Sequence, residues 1–224
     1  MTDLSSSAWP QIASIIDTAP FPVEVAPASP EAAADLAALN VGEGTTLGAM
    51  VAHTGGLLVD HGWVRLLGSH SAKLGRSLVS WNAAQGIGQG APVPLLIVGD
   101  DILGGLFALD GGAFGGERGM VWYFGPDTLG WEPLNCGYTA LLHLLLGPGL
   151  DAFYADHRWQ GWEAEIDAID GDRAVFLTPP LWAVGPAIPK RTRGAVPMTE
   201  VLTTYRAVLP QLKQGAPQLF PTVG

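Results

Sequence analysis

Residues 95–134 read LLIVGDDILGGLFALDGGAFGGERGMVWYFGPDTLGWEPL. Three short apolar runs stand in this stretch: Leu95 to Val98, Gly105 to Leu109 and Met120 to Phe124. A continuous apolar run of four to eight residues bounded by turn residues is the pattern of a buried strand. Gly, Asp and Pro separate the runs, and the gaps are short. A parallel pair needs a crossover of about a dozen residues, so closely spaced strands favour antiparallel neighbours. Leu129 to Leu134 reads as a further edge strand, stopped by Pro133. The stretch therefore predicts an antiparallel meander.

Working upstream, Leu57 to Val59 and Trp63 to Leu67 read as two strands joined by Asp60-His61-Gly62, a hairpin signal. Arg65 is expected on the face opposite Val64 and Leu66. Val23 to Val25 is a short strand. Trp9, Ile12, Ile15 and Ile16 recur at helical spacing, with Ser7 as the expected cap. Ser29-Pro30-Glu31 opens a second helix, with Leu36 and Leu39 inward. Leu47 to His53 is a short helix or loop, and Ser77 to Trp81 one helical turn. Gln85 to Pro94 is a loop, by its glycines and prolines.

Downstream, Tyr138 to Leu146 is apolar almost all round and predicts a buried helix, ended by Gly147-Pro148-Gly149. Leu150, Phe153 and Tyr154 continue as a short helix, and Trp162, Ile166 and Ile169 form another stripe. Ala174 to Leu177 is a strand, and Thr178 to Lys190 a proline-broken loop. A last helix starts near Pro197 with Met198, Val201, Leu202, Tyr205 and Leu209 inward, and frays after Pro210. The expectation is one globular α+β domain over residues 1–224. Its single antiparallel, meander-type sheet is flanked by helices, with a helical extension from about residue 149.

Composition sets the limits of function. Eleven bases against 21 acids give a net charge of −10. No base precedes Arg65, whereas seven acids do, and Asp151 to Asp172 holds seven acids against Arg158 alone. Such a field repels phosphate backbones and attracts basic partners. The single cysteine, Cys136, allows no internal disulfide, which fits a reducing compartment. The first residues lack a signal-peptide pattern, and no apolar run reaches the length of a membrane span. A cytoplasmic protein that binds neither nucleic acid nor membrane is expected.

No catalytic or metal motif is complete. The five histidines show no i, i+4 pairing, and no cofactor is called for. Asp60-His61 and Asp100-Asp101 are the acid/base candidates, each also explained as turn chemistry at a strand end. Gly86-Ile87-Gly88-Gln89-Gly90 is followed by prolines, so no helix can open there to receive a pyrophosphate. Asp110-Gly111 supplies a turn between strands. The basic group Lys190-Arg191-Thr192-Arg193 reads as a solvated loop. Of eight tryptophans, Trp9, Trp122 and Trp162 stand at core spacing, and Trp63, Trp81, Trp131, Trp159 and Trp182 near loops.

Several segments carry a family likeness. They are Thr54 to Trp63 (TGGLLVDHGW), Phe107 to Gly115 (FALDGGAFG), Trp122 to Trp131 (WYFGPDTLGW) and Tyr154 to Trp162 (YADHRWQGW). The chain resembles the bacterial domain-of-unknown-function family 2625. More distantly it resembles the SUKH superfamily, which includes yeast glucan-synthesis regulators and bacterial toxin-immunity proteins. The wider likeness implies a curved antiparallel sheet and non-enzymatic protein binding.

Two functional expectations follow. The first is a protein-binding module, of an immunity type with an acidic face for a basic toxin. Its surface residues would be Asp60, His61, Trp63, Asp110, Phe114, Asp127 and Trp131, with Trp as anchors and Asp as charge partners. The loops around Gly62 and Gly115 would share one rim. The second is an enzyme or small-ligand site, sugar-sized, lined by Trp63, Trp131 and Asp60-His61. The oligomeric state is left open.

Overall fold

The three apolar runs are consecutive strands of one sheet. The computed structural model describes residues 7–88, 93–212 and 218–221. In chain order the elements are α1 (Trp9–Asp17), β1 (Val23–Pro27), α2 (Ala32–Leu39), α3 (Thr46–His53), β2 (Thr54–Val59), β3 (Val64–Leu67) and α4 (Leu78–Ala84). Then come β4 (Leu95–Asp101), β5 (Leu106–Asp110), β6 (Met120–Gly125), β7 (Gly130–Gly137), α5 (Tyr138–Leu145) and α6 (Gly149–Phe153). The chain closes with α7 (Trp162–Asp167), β8 (Arg173–Thr178), a 3-10 turn at Ile188–Lys190, β9 (Thr192–Pro197) and α8 (Met198–Leu212). β1 to β7 form a seven-stranded sheet in sequence order, every pair antiparallel. β8 and β9 make a separate hairpin, so a second sheet joins the expected one.

One row of residues crosses all seven strands in register: Glu24, Leu58, Arg65, Asp100, Leu106, Phe124 and Trp131. This face is covered by the hairpin and α8. Val175 N–H donates to the Ile102 carbonyl, and Tyr205 packs on Phe124 at 5.2 Å. The opposite face carries Phe107 opposite Tyr123, both in contact with Phe153 of α6. Because both faces are covered, Arg65 lies opposite Val64 and Leu66 as expected yet is 1% exposed. β3 is too short to flank all of β4. There the Asn82 side chain of α4 takes its place, accepting from Ile97 N–H and donating to Ile97 C=O, both at 2.8 Å.

Several local expectations shift. The first residue of α1 is preceded by Ala8, not Ser7, although Ser7 Oγ accepts from Trp9 N–H. Ser29 caps the turn before α2 by accepting from Glu31 N–H, and the helix itself begins at Ala32. The turn at Ser77 extends to a full helix through a reciprocal Ser77–Ser80 capping box. α5 is not buried all round: Thr139, Ala140 and His143 face outward. β9 (TRGAVP) carries little apolar signal, and it takes Thr192 and Arg193 out of the expected solvated loop, with Arg193 paired to Glu165. α8 continues through Pro210 to Leu212. The expected loop over 85–94 lies partly outside the described residues, as does much of the tail after Pro210.

Candidate functional site

In a meander, alternate turns fall at alternate ends of the sheet. The β2–β3, β4–β5 and β6–β7 turns share one end, and the β5–β6 loop (111–119) lies at the other. The loops around Gly62 and Gly115 therefore stand at opposite ends, and the shared-rim expectation fails on strand direction alone. Asp60, His61, Trp63 and Asp127 lie at the first end. Asp110 and Phe114 lie at the second.

At the first end the β2–β3 turn is unusual. Asp60 (φ 51°), His61 (φ 60°) and Gly62 (φ 85°) are all left-handed. Such a φ is uncommon for residues other than Gly, though Asp and His tolerate it better than most. The turn is closed by Gly62 N–H to Val59 C=O and Trp63 N–H to Asp60 C=O. Over it folds the acid-rich segment 149–172.

Trp63 is wholly buried and meets Tyr154, Trp159 and Trp162 at 5.6, 5.7 and 5.0 Å. The Arg158 guanidinium lies 4.4 Å from the Trp162 ring and 5.2 Å from that of Trp63. It donates to Asp60 and to Asp151. The His61 ring donates from Nδ1 to the Asp167 carboxylate at 2.9 Å and stands edge-on to Trp162. Glu165 accepts from Trp159 Nε1 at 2.7 Å and pairs with Arg193 at 3.1 Å. Two of these pairs, Arg158–Asp60 and His61–Asp167, pin the segment to the β2–β3 turn, and Glu165–Arg193 ties it to β9. Burial pushes the Asp60 carboxyl up from its ordinary value, and the Arg158 charge opposes that.

Beneath this layer lie the two carboxylates of β4. Asp100 accepts from Arg65 Nε at 2.7 Å and from Arg76 at 2.6 Å, all three side chains buried. Arg76 stacks on Trp81 at 4.4 Å. The neighbouring Asp101 points to the other face. Its Oδ1 accepts from Leu103 N–H and Gly105 N–H, and its Oδ2 from the Tyr123 and Tyr154 hydroxyls at 2.7 and 3.0 Å. Burial pushes the Asp101 carboxyl up, opposed first by Tyr123, and lifts both tyrosines well above their ordinary value. Asp101 closes the β4–β5 turn, which is the turn chemistry the sequence suggests. Asp100 instead pairs two buried cations. These lone pairs are already committed within the fold, which leaves them little to offer a substrate.

The other expected residues have local partners. Asp110 Oδ1 accepts from Gly112 N–H at 2.6 Å and Phe114 N–H at 3.3 Å, holding its own turn. Phe114 stacks on Trp122 at 4.5 Å and touches Trp131 at 5.1 Å. Trp131 Nε1 donates to the Leu219 carbonyl. Asp127 is exposed on the β6–β7 turn. The expected Trp63 anchor is core, and Trp131 is four strands away. The sugar-sized site of Trp63, Trp131 and Asp60-His61 therefore does not assemble. The tryptophan assignment also reverses in part: Trp63, Trp81 and Trp159, near loops in sequence, are buried, whereas Trp9 and Trp122 are half-buried. Sequence reasoning passed over Arg158 and Asp167. Their signal was the lone base within the acidic run.

Beside the pinned turn runs a groove of about 120 Å³, lined by Pro22, Glu24, Leu58, His61, Lys73 and Asp167 among others. Glu24 and Lys73 pair across it at 3.2 Å. The exposed acids Asp151, Asp156, Glu163, Asp167, Asp170 and Asp172 belong to the segment that caps this end. Among the described residues no cluster of three or more metal-ligating side chains occurs, and no helix is long and apolar enough to cross a membrane.

The model of the family described as "Protein of unknown function DUF2625" matches residues 1–201. The chain is 36% identical over 202 residues to the uncharacterized protein YbfG of Escherichia coli (strain K12), covering 90% of this chain and 91% of that one. It is 34% identical over 183 residues to an uncharacterized protein of Haemophilus influenzae, covering 81% and 80%. The wider SUKH likeness is not among these matches. No solved structure matches.

Proposed function

Starting from the chain's membership of the family described as DUF2625, we propose that it is a non-catalytic protein-binding module whose acidic turn end receives a basic partner. One observation carries the reading. The segment from Asp151 to Asp172, seven acids to one base, is held at the sheet end by Arg158–Asp60 and His61–Asp167 and to β9 by Glu165–Arg193, while most of its carboxylates face solvent. A rigid field of one sign speeds encounter with an oppositely charged protein and selects against like-charged ones. The buried Asp100 and Asp101, with their acceptor oxygens committed to arginines, tyrosines and backbone N–H groups, support a structural rather than catalytic role. A basic toxin neutralised at this face is the partner that an immunity role requires.

The test uses purified chain and the purified products of the genes beside its own. Binding is measured by titration calorimetry at rising salt, for the natural chain and for the triple variant Asp156→Asn, Glu163→Gln, Asp170→Asn, which leaves the Asp167–His61 pair in place. A basic neighbour that binds, weakens with salt and weakens about tenfold in the variant is the expected result. Binding that ignores both salt and the variant, or no binding by any neighbour, overturns the reading.

A further inference from the structure

The seven-stranded sheet ends in two unequal edges. β7 is closed to further pairing. Pro133 has no N–H, Asn135 is left-handed at φ 54°, and the ladder with β6 shifts register between Met120 and Trp122. Such features are the usual protection of an edge strand. β1 has no such break between Val23 and Ala26, where it pairs in unbroken register with β2. Its prolines, Pro22 and Pro27, stand outside those four residues. Among the described residues, no hydrogen bond other than those of the β1–β2 ladder engages this backbone. In an antiparallel ladder alternate residues turn their N–H and C=O away from the neighbour, so the outer side presents unpaired donors and acceptors. Val25 is 39% exposed.

Grooves bracket the edge. The one of about 120 Å³ adjoins Pro22 and Glu24, and a shallower one of about 700 Å³ runs along Pro27 to Pro30. Lys73 lines both and rests its ammonium on Glu24 at 3.2 Å, with both side chains half-exposed. The chain's own cation thus occupies the position that an incoming one would take.

We infer that β1 is a strand-addition edge. An extended segment of a basic protein pairs with Val23 to Ala26, and its Lys or Arg side chains replace Lys73 on Glu24 and reach Asp167. Strand addition draws affinity from main-chain bonds and selectivity from alternate side chains. A second copy of the chain is the competing occupant, but it would bring −10 against −10, and like net charge opposes association. The inference rests on the protein-binding reading and names its contact strand and the partner's conformation.

The experiment follows amide exchange by NMR in the full chain, titrated with a synthetic peptide of alternating Lys and Val. The controls are a Glu/Val peptide and a Lys/Val peptide N-methylated at alternate residues. Exchange of the outward β1 amides slowed about tenfold by the Lys/Val peptide, and by neither control, is the expected result. Glu24→Lys, a surface change that leaves the ladder intact, should weaken that peptide severalfold. Lack of protection at β1, or equal protection by the N-methylated peptide, overturns the inference. So does self-association of the free chain through this edge in sedimentation. If a basic neighbour protein binds while β1 exchange is unchanged, only the strand-addition inference falls. If the peptide protects β1 but no basic neighbour binds, the reading of the acidic end falls instead.

Discussion

Arg65 and Asp100 stand directly opposite each other on β3 and β4, and the Arg65 Nε donates to the Asp100 carboxylate at 2.7 Å with both side chains sealed from solvent. Arg76 shares the same carboxylate. Asp100→Asn would leave two buried guanidinium groups facing a neutral amide. Breaking a buried pair by removing one partner costs about 3–5 kcal/mol. Urea denaturation of Asp100→Asn should therefore show a loss of that size, and a loss below about 1 kcal/mol would contradict the assignment.

Asp60 ties stability to pH. Its carboxyl is raised above the ordinary 3.8 by burial, so the folded state holds its proton more tightly than the unfolded chain does. Stability then falls as pH rises from 3.8 through the folded value, and is level above it. Arg158 opposes the shift, so Arg158→Ala should extend the falling window to higher pH. Asp60→Asn should remove its contribution. Unfolding free energies measured across the acid range would show this, and an unchanged slope in Arg158→Ala would count against it.

Asn82 stands in for a missing stretch of strand. Asn82→Ala should orphan the N–H and C=O of Ile97 in a buried setting, at about 1–3 kcal/mol for each group. Hydrogen exchange at the Ile97 amide should accelerate with it. Retained protection there would mean that another group closes the ladder.

The turn at His61 predicts an asymmetry between substitutions. His61→Val places a β-branched residue at φ 60° and should cost about 1–3 kcal/mol. His61→Gly relieves the backbone and loses the half-exposed pair with Asp167 and the edge contact with Trp162, both of which His61→Val loses too, so it should cost less than His61→Val. Thermal melts of the two variants separate these outcomes.

Where one residue type forced one conformation, the sequence was readable. The apolar runs between glycines at 95–124 announced β4, β5 and β6, and Asp60-His61-Gly62 announced its turn. Local chemistry also explains Asp101 and Asp110, each of which accepts from backbone N–H groups a few residues on. Pairings across long chain distances were not legible. Nothing near His61 points to Asp167, and nothing near Asp60 points to Arg158. Trp63 looked like a loop residue because the rings that bury it, Trp159 and Trp162, come 96 and 99 positions later in the chain. β9 was missed because a half-exposed hairpin strand needs few apolar side chains.

The sheet's strand order repeats the chain order, and this bears on how the molecule is made. Each strand pairs with the strand before it in the chain, across connections of four to 27 residues, so a nascent chain leaving the ribosome can add one ribbon after another. The charged groups sealed inside follow a different schedule. Arg65 waits for the Arg173 carbonyl, 108 residues on, and Asp60 for Arg158, 98 residues on. Until those residues emerge, the half-built sheet holds Arg65 and Asp60 in contact with water. Translation of the final third of the chain is therefore what turns a hydrated ribbon into a sealed body.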